Sequence, residues 1–191
     1  MIMVMFLVTG SIVYASPFKI VDSIRNYNMY GLRKNGPIRY SYNTPNGKFD
    51  LILTYPYQEG KACHVEAWMN TRKVYDYYLS AVDNGYTTYV YRDQATNRIF
   101  ISFSSYLRSI LIGYCDKSQQ VETFVDSKNY YSGLKGDTPW IYSTNDGSLV
   151  LDFCDGYDDV PVKHIHRYQF DWDETSQWFG YTDLGVINVS R

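Results

Sequence analysis

A chain of 191 residues with 18 Lys and Arg against 20 Asp and Glu has a net charge of −2. It contains no basic run, so it lacks the electrostatic footprint that nucleic acid or an anionic membrane surface requires. Its length suits one domain with a sizeable core. The unusual part of its composition is aromatic, with 21 Tyr, 9 Phe and 4 Trp, which fits half-buried pleated surfaces and therefore strands.

The chain begins MIMVMFLVTGSIVYASP, an apolar run closing on Val13-Tyr14-Ala15. Spanning a bilayer takes about 20 apolar residues, so this run is too short for a stable membrane anchor. It predicts instead a signal peptide over residues 1–15, cut after the small Ala15, although no Lys or Arg precedes it. The mature chain then starts at Ser16, is exported, and is not inserted in the membrane. After Pro17, Ile20, Val21, Ile24 and Tyr27 recur at helical spacing and predict one short helix within 19–30.

From Ile38 onward the pattern changes to alternation. Phe49, Leu51, Leu53, Tyr55 and Tyr57 share one face, as do Lys73, Tyr75, Tyr77, Leu79 and Ala81. Ile99, Ile101 and Phe103 do the same, followed by Ile110, Ile112 and Tyr114 and then by Leu149, Leu151 and Phe153. Period two in short runs is the strand signal. One series of turns falls at 43–48, 70–73, 92–98, 115–120, 143–148 and 171–177. A second falls between them, at 57–62, 82–86, 104–109, 126–139 and 154–161. Interleaved turns of this kind predict an all-β, antiparallel up-and-down meander of about 11–12 strands over 16–191. To dispose of its edges, the sheet is expected to curl or close, barrel-like or as two stacked sheets. The segments YVYRDQATNRIF (89–100) and YQFDWDETSQWF (168–179) are faintly alike. Such hairpins recur in propeller blades, but the strands fill about three blades, too few to close a ring.

Cys63, Cys115 and Cys154 cannot all pair within one chain, and no Cys-x-x-Cys spacing is present. The turn series places Cys63 and Cys154 at one end of the meander and Cys115 at the other. Any disulfide is therefore expected between Cys63 and Cys154, provided that the sheet closes.

The chain carries no nucleophile elbow, phosphate-binding glycine loop or His-Glu-x-x-His pair. The chemistry-bearing stretch is PVKHIHRYQFDWD, where His164 and His166 alternate in step with Tyr168, Phe170 and Trp172. Residues two apart on a strand point the same way, so two imidazoles can converge on one ion. The alternative is that they are hydrogen-bonded residues on an inward strand face. The turn series assigns His64, Asp155, Asp158 and Asp159 to the same end of the sheet.

Two functions fit. The leading one is an exported, non-enzymatic binding or envelope-associated module that needs no cofactor. Its ligand is a glycan, a small apolar molecule or a protein or cell-envelope partner, met by tyrosines such as Tyr75, Tyr77, Tyr89 and Tyr91. The other is a metal-binding protein or metal-dependent hydrolase. There a divalent metal would be held by His164, His166, Asp155, Asp158, Asp159 and His64.

Overall fold

A computed structural model of the chain describes residues 18–25, 37–54, 61–80, 87–105, 107–130, 133, 137–155 and 162–190. The strands are β1 (Phe18–Arg25), β2 (Ile38–Thr44), β3 (Gly47–Thr54), β4 (Lys61–Met69), β5 (Arg72–Ser80), β6 (Thr87–Asp93), β7 (Ile99–Ser104), β8 (Ser109–Cys115), β9 (Gln120–Asp126), β10 (Asp137–Ser143), β11 (Leu149–Asp155), β12 (Val162–Asp173) and β13 (Trp178–Ser190). Apart from one turn of 3-10 helix at Ser127–Asn129, the described elements are all strands.

The strands form three antiparallel sheets, not one continuous meander. The first has the order β2-β3-β4-β5, the middle one β1-β6-β7-β8-β9 and the third β10-β11-β12-β13. None closes into a barrel. The six turns of the first series are all hairpins, as expected. Two connections of the second series, between β5 and β6 and between β9 and β10, lead instead from one sheet to the next.

Alternation on the middle sheet explains why the sheets stack. Val90, Ile99, Ile101, Phe103, Ile112 and Tyr114 point one way and pack on Tyr42, Phe49, Leu51, Leu53, Val65 and Ala67 of the first sheet. Tyr91, Phe100, Leu111, Phe124 and Val125 point the other way and meet Ile141, Leu149, Leu151, Phe153, Tyr168 and Phe170 of the third. The middle sheet is therefore apolar on both faces, and every residue of β7 is buried. Stacked sheets lie about 10 Å apart. Burying two faces in this way removes far more apolar area from water than closing the edges of a single sheet would.

Of the 19–30 segment expected to hold a helix, residues 26–30 lie outside the described residues, and residues 19–25 belong to strand β1, added to the open edge of the middle sheet beside β6. Its register slips between Ile20 and Asp22, and this extra residue breaks period two. The spacing of Ile20, Val21 and Ile24 is that of a bulged strand, which on sequence alone resembles a helix.

The turns at one end tie the three sheets together. Arg98, only 3% exposed, follows the β6–β7 turn. Its Nε and Nη2 donate to Glu174 of the β12–β13 turn at 3.2 and 2.8 Å, and Nη2 also reaches Asp116 of the β8–β9 turn. Asn46, in the β2–β3 turn, donates from Nδ2 to the carbonyl and carboxylate of Asp116 at 3.1 and 3.2 Å.

Two of these turns share one design. Asp93 accepts from the amides of Ala95 and Thr96, and Asn97, at φ 60°, closes the turn with a 2.8 Å bond to the Asp93 carbonyl. Asp173 does the same for Thr175 and Ser176, and Gln177, at φ 57°, closes onto it at 2.8 Å. The faint likeness of 89–100 to 168–179 is this shared turn. Over a longer interval, each sheet contains a run of four consecutive hairpin-linked strands, and these runs start at Ile38, Thr87 and Asp137.

Candidate functional site: the two outward faces

Because the middle sheet is covered on both sides, the outward faces of the first and third sheets are the broad surfaces left to the described residues. On the third sheet, register sets Trp140 opposite Asp152 and Asp152 opposite Arg167, with Cys154 opposite Ile165. Together with Tyr142, Ser143 and, from β6, Tyr89, these strands line an open cleft of about 370 Å³. Its walls are mostly aromatic and aliphatic, and Trp140 is 37% exposed at its rim.

Two of the lining residues, Tyr142 and Asp152, belong to a polar trio that Arg167 completes. Arg167 donates to Asp152 in bidentate fashion, Nε to Oδ1 and Nη2 to Oδ2, both at 2.8 Å. The Tyr142 hydroxyl donates to Asp152 Oδ2 at 2.6 Å and accepts from Arg167 Nη2 at 2.7 Å. Asp152 is 1% exposed, and a carboxylate this deep is tolerated only when paired and hydrogen-bonded. Burial, then the neighbouring Asp152 carboxylate, pushes the Tyr142 phenol well above its usual range. The phenol is thus no base at neutral pH. The polar groups of the trio thus bond mainly to one another.

The first sheet presents a different surface. Val65 and Ala67 of β4 are fully buried, so His64, Glu66 and Trp68 take the outward face. Glu66 lies opposite Asp76 of β5, and His64 lies opposite Tyr78. A ligand atom from each of His64, Glu66 and Asp76 lies within 4.8 Å of the other two. His64 Nε2 is 2.6 Å from Asp76 Oδ1, and Lys73 Nζ bridges Glu66 Oε1 at 2.5 Å and Asp76 Oδ2 at 2.8 Å. Hydrogen bonds from Lys73 and then His64 hold the Asp76 carboxyl below its usual range.

Of the residues singled out from sequence, His64 lies in the first sheet, while His164 and His166 lie on β12 of the third, with the middle sheet between. The structure does not bring the three together. His166 is inward-facing: its ring stacks on Tyr168 at 4.9 Å, and Nε2 is 2.8 Å from Asp183 Oδ1. His164, at the end of that stripe, is exposed. Asp155 ends β11, and Asp158 and Asp159 lie outside the described residues. The same layering separates Cys63 on β4 from Cys154 on β11, and Cys154 forms no disulfide. The expected Cys63–Cys154 bond is therefore not formed.

The tyrosines divide as well. Tyr91 is 0% exposed, and its hydroxyl makes bonds of 3.1 Å with Ser102 Oγ and 3.0 Å with the Ile141 carbonyl, so it belongs to the core. Tyr89 lines the cleft. Tyr75 and Tyr77 sit on the edge strand β5 with ring centroids 6.1 Å apart. Since β5 approaches β9, at the other side of the middle sheet from β6, the four rings do not form one platform.

Sequence reasoning passed over Trp140, Tyr142, Asp152 and Arg167, although their alternation within PWIYS, LDFCD and HRY was visible. It passed over Glu66, Lys73 and Asp76 because their meeting depends on the pairing of β4 with β5. Among the described residues, no helix is long and apolar enough to cross a membrane. No family model, curated protein or solved structure matches the chain.

Proposed function

We propose that the protein is an exported, non-enzymatic binding module whose third-sheet cleft takes a small, flat, largely apolar ligand. The observation that carries this reading is the cleft itself: about 370 Å³ walled by Tyr89, Trp140, Tyr142 and Ile165. Ligand sites in general are apolar concavities of roughly 300–1,000 Å³ with few polar groups. Flat rings stack on exposed indole and phenol faces at little entropic cost. The Asp152–Arg167–Tyr142 trio serves as a rigid floor that holds the Tyr142 ring in place. A glycan would need free hydrogen-bonding groups, and the trio has already committed most of its own.

Saturation-transfer NMR against a panel of indole, naphthol, cellohexaose and chitohexaose distinguishes the ligand classes. Ring compounds should bind and protect Cys154, which lines the cleft, from alkylation. Trp140→Ala should abolish both effects. Binding of the oligosaccharides alone, or ring binding unchanged in Trp140→Ala, would refute the reading. Export is tested separately by N-terminal sequencing of natively produced protein, which should begin at Ser16.

A further inference from the structure

We propose that the outward face of the first sheet is a divalent-cation site in which His64, Glu66 and Asp76 are the ligands and Lys73 is a tethered cation that an incoming ion displaces. It is independent of the cleft on the third sheet.

Backbone register builds the arrangement. His64 and Glu66, two apart on β4, share a face, and Asp76 is paired directly with Glu66 across the strands. Lys73 is three residues from Asp76, so in an unbroken strand it would point to the opposite face. The pairing slips between Ala67 and Trp68, setting Lys73 opposite Trp68 while Tyr75 stays opposite Ala67. This bulge turns Lys73 onto the outward face, a common role of bulges beside functional sites. Its ammonium lies 5.3 Å from the centroid of the Trp68 ring.

The donor set suits a metal. One imidazole nitrogen and two carboxylates favour zinc-like ions over calcium or magnesium, which prefer all-oxygen shells. Zinc bonds to nitrogen and oxygen of about 2.0–2.2 Å require ligand atoms somewhat over 3 Å apart. The three atoms are already within 4.8 Å of one another, so side-chain adjustment suffices. Tyr78 stacks on the His64 ring at 4.1 Å with 5° between planes, fixing its orientation as an outer-shell partner does at metal sites. Charge points the same way. The single Lys73 ammonium matches one of the two carboxylate charges, whereas a divalent ion balances both. Asp76 is 47% exposed and Lys73 36%, so an ion can enter and the lysine can swing away.

The test is calorimetric titration of natively produced protein with zinc chloride, with calcium chloride for comparison. Wild type should take up one zinc per chain and bind calcium far more weakly. His64→Ala and Glu66→Gln should each weaken zinc binding by about 10-fold or more, with far-UV circular dichroism confirming that both fold. Lys73→Ala should tighten it roughly fivefold by removing the competitor. The double variant His164→Ala/His166→Ala should bind as wild type does. The proposal is overturned if neither wild type nor Lys73→Ala takes up zinc. It is equally overturned if His64→Ala binds unchanged, or if only the His164/His166 variant loses the metal.

Discussion

Replacing Arg98 by Ala should destabilise the protein more than any other change to a surface turn. The guanidinium is 3% exposed and bridges Glu174 and Asp116, turns that belong to two different sheets. It also lies 5.5 Å from the centroid of the Trp172 ring. Removing one partner of a buried ion pair costs roughly 3–5 kcal/mol, because the remaining charge stays desolvated. Glu174 is 51% exposed and rehydrates easily, so the lower bound of about 3 kcal/mol applies. For a chain of this size each kcal/mol shifts Tm by about 2–4 °C, giving a fall of roughly 6–12 °C by calorimetry. Arg108→Ala is the control. Its pairing with Asp126 is bidentate too, but Arg108 is 45% exposed, and exposed pairs contribute about 0–1 kcal/mol.

The clamp also implies a pH dependence. Burial pushes the Glu174 carboxyl up, but hydrogen bonds from Arg98 and Trp172 outweigh it and hold the carboxyl below its usual range. A lowered folded-state pKa stabilises above the unfolded value and is lost as pH falls through the folded one. Wild type should therefore lose stability below about pH 4 more steeply than Arg98→Ala does. If Arg98→Ala melts within 2 °C of Arg108→Ala (roughly 1 kcal/mol), or both lose stability in parallel with acid, the turns are not clamped as described.

Three further outcomes are expected. Gly113→Ala would set a Cβ 2.6 Å from Phe100 Cδ1 and 3.1 Å from Phe124 Cε2, overpacking the interface between the middle and third sheets; chemical denaturation should show a loss of about 1–3 kcal/mol. Tyr91→Phe should cost about 1 kcal/mol by the same assay, since the buried Ser102 hydroxyl and Ile141 carbonyl lose a shared partner. Mass mapping after alkylation should label Cys154 in the native protein but Cys115, 6% exposed, only after unfolding, and a Cys63–Cys154 disulfide would contradict the three-layer order.

Much of the strand ladder was legible in the sequence because period two and turn chemistry are local properties. The six hairpin turns fell at the expected places since Asn, Gly and Asp are selected by the backbone of the turn itself, as at Asn97 and at Gly47, which has φ 124°. The inward direction of His166 followed from its alternation with Tyr168. The strand identity of 18–25 was not legible, because a bulge imitates helical spacing and the deciding interaction is an edge supplied by β6, 62 to 75 residues further along the chain. Nor was the division into three sheets. Alternation says that a residue points to one side, but not whether that side is water or another sheet, and β7 hides the answer by burying both faces. The same gap concealed both candidate sites. Trp140, Asp152 and Arg167, like His64, Glu66, Lys73 and Asp76, come together only across paired strands. A one-residue slip between β4 and β5 is enough to move Lys73 from one face of the sheet to the other.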